Sequence, residues 1–300
     1  MILVALAILL STAAGVASER RTPRAMRAAE LSLTAMLYVL MPFVAYASFA
    51  HLHLSLAGAA GLVVAWIGLG AAGVLAWGIG RRMHLPRPSL GGLICTVTIV
   101  NTGYVGLPLI VVLLGARVLT PAVAYDQAVS APFFFTVGFA IGAAFGVGEK
   151  PSISGQIQAL LFRNPPLAGA VAGLLVPAAW APHVLVVASR LAVDALIVPG
   201  FFAVGVYLSA DPSQRLLERP DRRVLVALAL RFGVNSALLE AVSVAGVAIP
   251  SVYLFQAVMP SGLTSLILGR RFGLDQGLIA TVIIWSTVAV LAVATTVYLV

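Results

Sequence analysis

Three groups of polar residues interrupt the apolar stretches of this chain, and each suggests a chemistry. The first is Asn101-Thr-Gly-Tyr-Val-Gly-Leu-Pro108, inside an apolar run from Ser89 to Gly115. The Asn101 amide can donate two hydrogen bonds to a carboxylate and accept one at its oxygen. Thr102 and Tyr104 offer further polar contacts, while Gly103 and Gly106 permit close approach and unusual backbone dihedrals. The second group is Gln256-Ala-Val-Met-Pro-Ser-Gly262 with Thr264 just beyond, which adds Gln256, Pro260, Ser261 and Gly262 as contact candidates. The third is the set of ionisable residues in apolar segments: Asp126, Arg190, Asp194, Arg231 and Glu240. A charge in lipid is costly, so each is a functional candidate. Asp126 and Asp194 are the proton-coupling candidates, because a proton can neutralise a carboxylate there. Arg231 could balance a substrate carboxylate or simply snorkel toward the interface. Arg190 and Asp194 are four apart and can pair on one helix face; Arg231 and Asn235 are also four apart and share a face.

Plainer readings stand beside these. Asn101 could merely cap a helix, and Ser261, Thr264 and Ser265 could be the small hydroxyls that pack or bond between membrane helices. No role is evident for Glu30 or Gln127. His51 and His53 lack a nearby third ligand, so no metal site is expected. No nucleophile elbow, Walker loop or zinc-protease motif is present, and neither an enzyme nor a cofactor is expected.

What positions these residues is a membrane. The chain is 61% hydrophobic and 9% charged over 300 residues, with a mean hydropathy of +1.07. Soluble domains carry about 25% charged residues, so the lipid bilayer is the expected surrounding. The net charge of +8 comes from basic residues scattered through short loops, without the arm or patch that nucleic acid would need. A single cysteine, Cys95, excludes an intramolecular disulfide.

At about 20 residues per span, ten helices are expected near 2–18, 31–50, 55–79, 89–115, 120–147, 166–180, 184–209, 224–247, 251–269 and 276–299. The first could pass for a signal peptide, but its basic residues follow the apolar run instead of preceding it. Fifteen of the eighteen lysines and arginines fall in the loops after the odd-numbered spans. The positive-inside rule then places those loops in the cytoplasm and both termini outside the cytoplasmic membrane. Pro42 and Pro199 are 157 residues apart, and Pro108 and Pro260 are 152 apart. This near-equal spacing divides the chain into a first repeat at 1–147, a connecting loop at 148–165 and a second repeat at 166–300. Five helices per repeat make the two halves inverted, which is a plan of secondary transporters.

Asn101 is expected roughly 18 Å along the fourth span and Pro260 about 14 Å along the ninth, entering from opposite sides. A new half-helix is expected after Pro108 and after Pro260, each N-terminus offering free N–H groups to an anion.

The Asn101–Leu109 segment closely resembles the signature of the auxin efflux carrier family, which includes plant auxin exporters and bacterial permeases for malonate, malate and similar anions. Phe162-Arg-Asn-Pro-Pro166, Met259-Pro-Ser-Gly262 and Leu268-Gly-Arg-Arg-Phe-Gly273 resemble further pieces of that family in order. The resemblance implies an all-α fold of ten helices as a five-plus-five inverted repeat, with broken helices 4 and 9 crossing beside the substrate, often in a homodimer. The short 148–165 connection resembles the compact permeases and not the long plant exporters. The function expected is alternating-access transport of a small organic anion, with a proton as the candidate coupling ion. A sodium- or proton-coupled cation carrier of similar crossover is the alternative, disfavoured because both breaks lack a carboxylate in sequence. A membrane sensor that does not transport is a third.

Overall fold

The computed structural model describes the backbone at residues 2–19, 22, 24–147, 152, 154, 158, 164–209 and 219–299. Among these residues the protein is all-helical, with 84% helix and no strand. The elements are α1 (Ile2–Glu19), α2 (Arg24–Phe49), α3 (Leu56–Arg82), α4 (Arg87–Thr98), α5 (Thr102–Leu114) and α6 (Ala116–Phe145). They continue as α7 (Pro165–Leu175), α8 (His183–Ser209), α9 (Arg222–Val244), α10 (Ser251–Ala257), α11 (Thr264–Phe272) and α12 (Gln276–Leu299). Six of the described helices, α2, α3, α6, α8, α9 and α12, are long and apolar enough to cross a membrane. Most of the expected loop at 148–165, including Arg163, lies outside the described residues.

Helix α3 shows why these are membrane helices. Ala65, Leu69, Ala72 and Ala76 recur at helical spacing and are buried, while Val63, Ile67 and Val74 on other faces are exposed. A helix apolar all round needs either a large protein core or lipid around it, and the apolar outward faces here suit insertion in a membrane. Pro42 sits inside α2, where its missing N–H breaks the regular ladder. The turn at Met36–Leu40 widens so that the Met41 N–H reaches the Met36 carbonyl, and the helix continues.

Two close helix pairs exchange partners between the halves of the chain. Helix α1 packs along α8, and α7 packs along the second part of α2. Both depend on glycine. A Cβ added to Gly205 would meet the Thr12 carbonyl, and one added to Gly169 would lie 2.9 Å from both Cα and C of Pro42. Helix α3 packs on α9 and α4, and α12 packs on α4 and α9.

Contacts also gather the helix ends that adjoin the basic loops. Asp275, before α12, accepts from Ser89 Oγ of α4 at 2.6 Å and from Arg223 of α9 at 3.4 Å. Arg87 donates to the Ala144 carbonyl of α6 at 2.6 Å, and the Val147 N–H reaches the Phe272 carbonyl of α11 at 2.8 Å. Ala25 and Ala29 of α2 pack with Ala203 and Val206 of α8. At this end Asp221 caps α9 by accepting from the Val224 N–H at 3.0 Å. Partial burial acts to raise the Asp221 carboxyl, but the bonds from Val224 and Arg223 outweigh it and hold the group below the usual carboxylate range.

Replacing Gly169 by leucine should destabilise the protein by roughly 2 kcal/mol or more, because backbone atoms of α2 cannot yield as a side chain could. Thermal unfolding in detergent measures it, and an unchanged midpoint would contradict this packing. Asp221→Ala should cost about 1 kcal/mol at neutral pH by removing a cap. Because the folded-state carboxyl is lowered, its contribution is present above the unfolded value of about 3.9 and fades as pH falls through the lower folded value. The gap between variant and parent should therefore narrow as pH falls through the lowered folded-state value.

Candidate functional site at the crossing of two interrupted helices

Both expected breaks are present, and they meet. Helix α4 stops at Thr98 and α5 starts at Thr102, while α10 stops at Ala257 and α11 starts at Thr264. Between them Val100 opposes Ser261 in an isolated antiparallel bridge. The Asn101 N–H donates to the Pro260 carbonyl at 2.8 Å, and the Gly262 N–H donates to the Ile99 carbonyl at 2.8 Å. Each break thus supplies the hydrogen bonds that the other lacks, as a break far from water requires. Ser261 closes further gaps: its hydroxyl donates to the Thr96 carbonyl at 2.6 Å, and its N–H donates to Ser286 Oγ of α12 at 3.1 Å.

Arg231 of α9 completes the pairing and corrects the snorkelling alternative. It is 0% exposed. Its Nη1 donates to the Val97 carbonyl at 2.8 Å, its Nε to the Met259 carbonyl at 3.3 Å, and its Nη2 to the Ala257 carbonyl. One guanidinium therefore serves the last carbonyls of α4 and of α10 together. One turn on, Asn235 donates to Tyr125 Oη at 3.0 Å, so the two residues share the buried face that their spacing suggested.

The half-helix after the first break does not begin at Pro108. It begins seven residues upstream of Leu109, at Thr102, and Pro108 is buried inside it. The physical reason is Asn101, which supplies the cap that a proline start would have made unnecessary. Its Oδ1 accepts from the Val105 N–H at 3.2 Å and its backbone carbonyl accepts from Gly106 at 3.0 Å, forming a widened first turn. The capping role is therefore real, and it leaves the other half of the amide unused. The two Asn101 Nδ2–H groups of the side chain have no partner among the described residues. Gly103, Gly106 and Gly262 do not use positive φ angles. At Gly106 the need is space: an added Cβ would stand 2.5 Å from Gln256 Oε1. Gln256 is buried and donates to the Ala122 carbonyl at 3.0 Å.

A carboxylate also reaches this break, contrary to the inspection of each segment alone. Asp126 of α6 is 6% exposed and accepts from Thr102 Oγ1 at 2.5 Å and from Gln127 Nε2 at 2.7 Å. It lies over the first turn of α5, 3.4 Å from where a Gly103 Cβ would stand. Gln127, to which no role was given, is 4% exposed, and its Oε1 has no partner among the described residues. A polar neighbour beside an intramembrane carboxylate was the signal available for it. Tyr104 sits where α5 meets α8, its carbonyl 3.4 Å from a Cβ placed on Gly200, whose surroundings include Met36 of α2. Thr264 begins α11 on the far side of the bridge and is half-buried.

The remaining ionisable candidates stay apart. Glu240 is exposed on α9. Asp194 lies on α8, with its side chain outside the described ones, so its pairing with Arg190 is not seen. His51 lies 2.7 Å from the Ala181 carbonyl through Nε2, which ties the end of α2 to the segment after α7. Neither the family models nor the curated proteins compared with this chain match it.

Thr102→Val should remove a hydrogen bond to a buried carboxylate, worth roughly 1–3 kcal/mol. A double-mutant cycle of Thr102→Val with Asp126→Asn, followed by thermal unfolding, should give a coupling energy above about 0.5 kcal/mol. Additive effects would mean that the two side chains do not act together.

Proposed function

We propose that this protein is a secondary carrier, similar to the auxin efflux carrier family, that moves a small organic anion across the cytoplasmic membrane by alternating access. The observation that carries the reading is the paired crossing of α4–α5 with α10–α11, since interrupted helices that meet within the membrane build a substrate site. On this reading α4–α5 and α10–α11 are spans four and nine of ten, arranged as a five-plus-five inverted repeat. The exchanged packing of α1 on α8 and α7 on α2 supports that arrangement, because inversion turns the first pair into the second. The helix ends gathered beside the basic loops would face the cytoplasm, leaving both termini outside.

The anion would be held by the unused Asn101 side-chain Nδ2–H groups and the first turn of α5, where an N-terminal helix end favours negative charge. Asp126 already places a carboxylate over that turn. A proton taken up by Asp126 removes the competing charge and frees the helix end for the substrate carboxylate. Proton and anion would then travel together, with α2 and α8 forming the wall against which the crossing, Tyr104 included, moves. The same carboxylate supports a second reading, a cation-coupled carrier, in which Asp126 stays ionised and binds the transported cation.

Uptake of labelled mono- and dicarboxylates into proteoliposomes, with and without a pH gradient, tests both. The expected outcome is uptake driven by an inward proton gradient, abolished by Asn101→Ala while the thermal midpoint falls only by the value of a cap, about 1 kcal/mol. Normal uptake by Asn101→Ala would remove that residue from the site. Asp126→Asn should retain exchange of substrate across the membrane but lose its dependence on the pH gradient. No carboxylate flux under any gradient would reject the anion reading.

A further inference from the structure

The last carbonyls of a helix carry partial negative charge, about half an elementary charge per helix end. At the crossing two such ends, those of α4 and α10, converge on one point. In carriers with interrupted helices, C-terminal half-helix ends and unwound carbonyls are where a coupling sodium ion binds. Here that point holds a side chain. The Arg231 guanidinium bonds Val97 at the end of α4 and both Ala257 and Met259 at the end of α10. Among the described residues its charge meets no carboxylate; the ion pairs there join Arg223 to Asp221 and Asp275. Its charge is balanced instead by the two helix ends, and a guanidinium keeps that charge at any physiological pH.

We infer that Arg231 is a resident cation that stands in for a coupling sodium ion, so that the crossing is held together permanently and binds no sodium. In transport, which rests on the carrier reading above, Arg231 acts as a positioning residue: it fixes the ends of α4 and α10 while Asn101 and the first turn of α5 face the substrate. The geometry accounts for an arginine in particular. Two helix-end carbonyls and the Met259 carbonyl of the unwound stretch surround the group, and a planar fork of donors reaches all of them, which a point charge could not do as well.

The test uses the purified full-length protein in detergent. Thermal midpoints are compared in about 150 mM sodium chloride and in choline chloride of equal ionic strength, so that screening is constant. The parent protein should melt within about 1 °C in the two salts. A rise specific to sodium would overturn the proposal and needs no variant to observe. Arg231→Ala should melt roughly 10 °C lower in choline chloride, since three buried carbonyls lose their partner. It should regain at least half of that loss with about 10 mM guanidinium chloride or with the sodium salt, by mass action on the vacated site. A midpoint unmoved by the substitution, or a loss that neither cation restores, overturns it. Arg231→Lys retains a fixed charge and should stay insensitive to sodium; sodium stabilisation of that variant would also overturn it. None of these readouts involves flux. Absence of carboxylate uptake would reject the carrier reading and leave this assignment standing.

Discussion

A helix interrupted inside lipid exposes backbone donors and acceptors where no water can reach them, each costing several kcal/mol if left alone. This protein meets that requirement by bringing two interruptions together. Ile99 and Asn101 on one side, Pro260 and Gly262 on the other, exchange two backbone hydrogen bonds across the Val100–Ser261 bridge. Neither break is tenable by itself. The helices that flank them, the glycines that let them approach, and the polar side chains that converge on them all follow from this mutual need.

Charge follows from the same arrangement. Breaking a helix creates a negative end and a positive end where a continuous helix has neither. The structure answers three of the four ends with a side chain of opposite sign: Arg231 at the C-terminal ends of α4 and α10, and Asp126 at the N-terminal end of α5. The two groups differ in what they can do. An arginine in such a place is a fixed component, whereas a carboxylate can gain or lose a proton and so change the character of the end it faces. Permanent and exchangeable charge are thereby assigned to different ends of the crossing.

The sequence made much of this readable, and the limits are instructive. Helix positions followed from apolar run length, and both interruptions were visible as Asn, Gly and Pro where only Leu and Val should be. The exact register of the first break was not, because Pro108 is the conspicuous residue while Asn101 does the capping. Local inspection named Asp126 as a candidate but did not place it at the break. It lies 24 residues beyond Thr102, and only the packing of α6 against α5 reveals that the break has an acid beside it. The partners of Arg231 escaped for a similar reason: they are carbonyls, which carry no signature in side-chain identity. Shared faces that rest on periodicity, such as Arg231 and Asn235 on one buried face, were legible; pairings between distant elements were not.

The exchanged helix pairs have a consequence for how the protein is made. Helix α1 leaves the ribosome long before α8, the helix whose carbonyls its Gly15 approaches. Until then α1 has only its smaller contact with α2 to lean on, and the face around Gly15 is unfilled. The first half of the chain therefore cannot complete its own tertiary structure during synthesis. Separately expressed halves should be poor assemblers unless they meet early, and the whole protein should acquire its packing late and cooperatively.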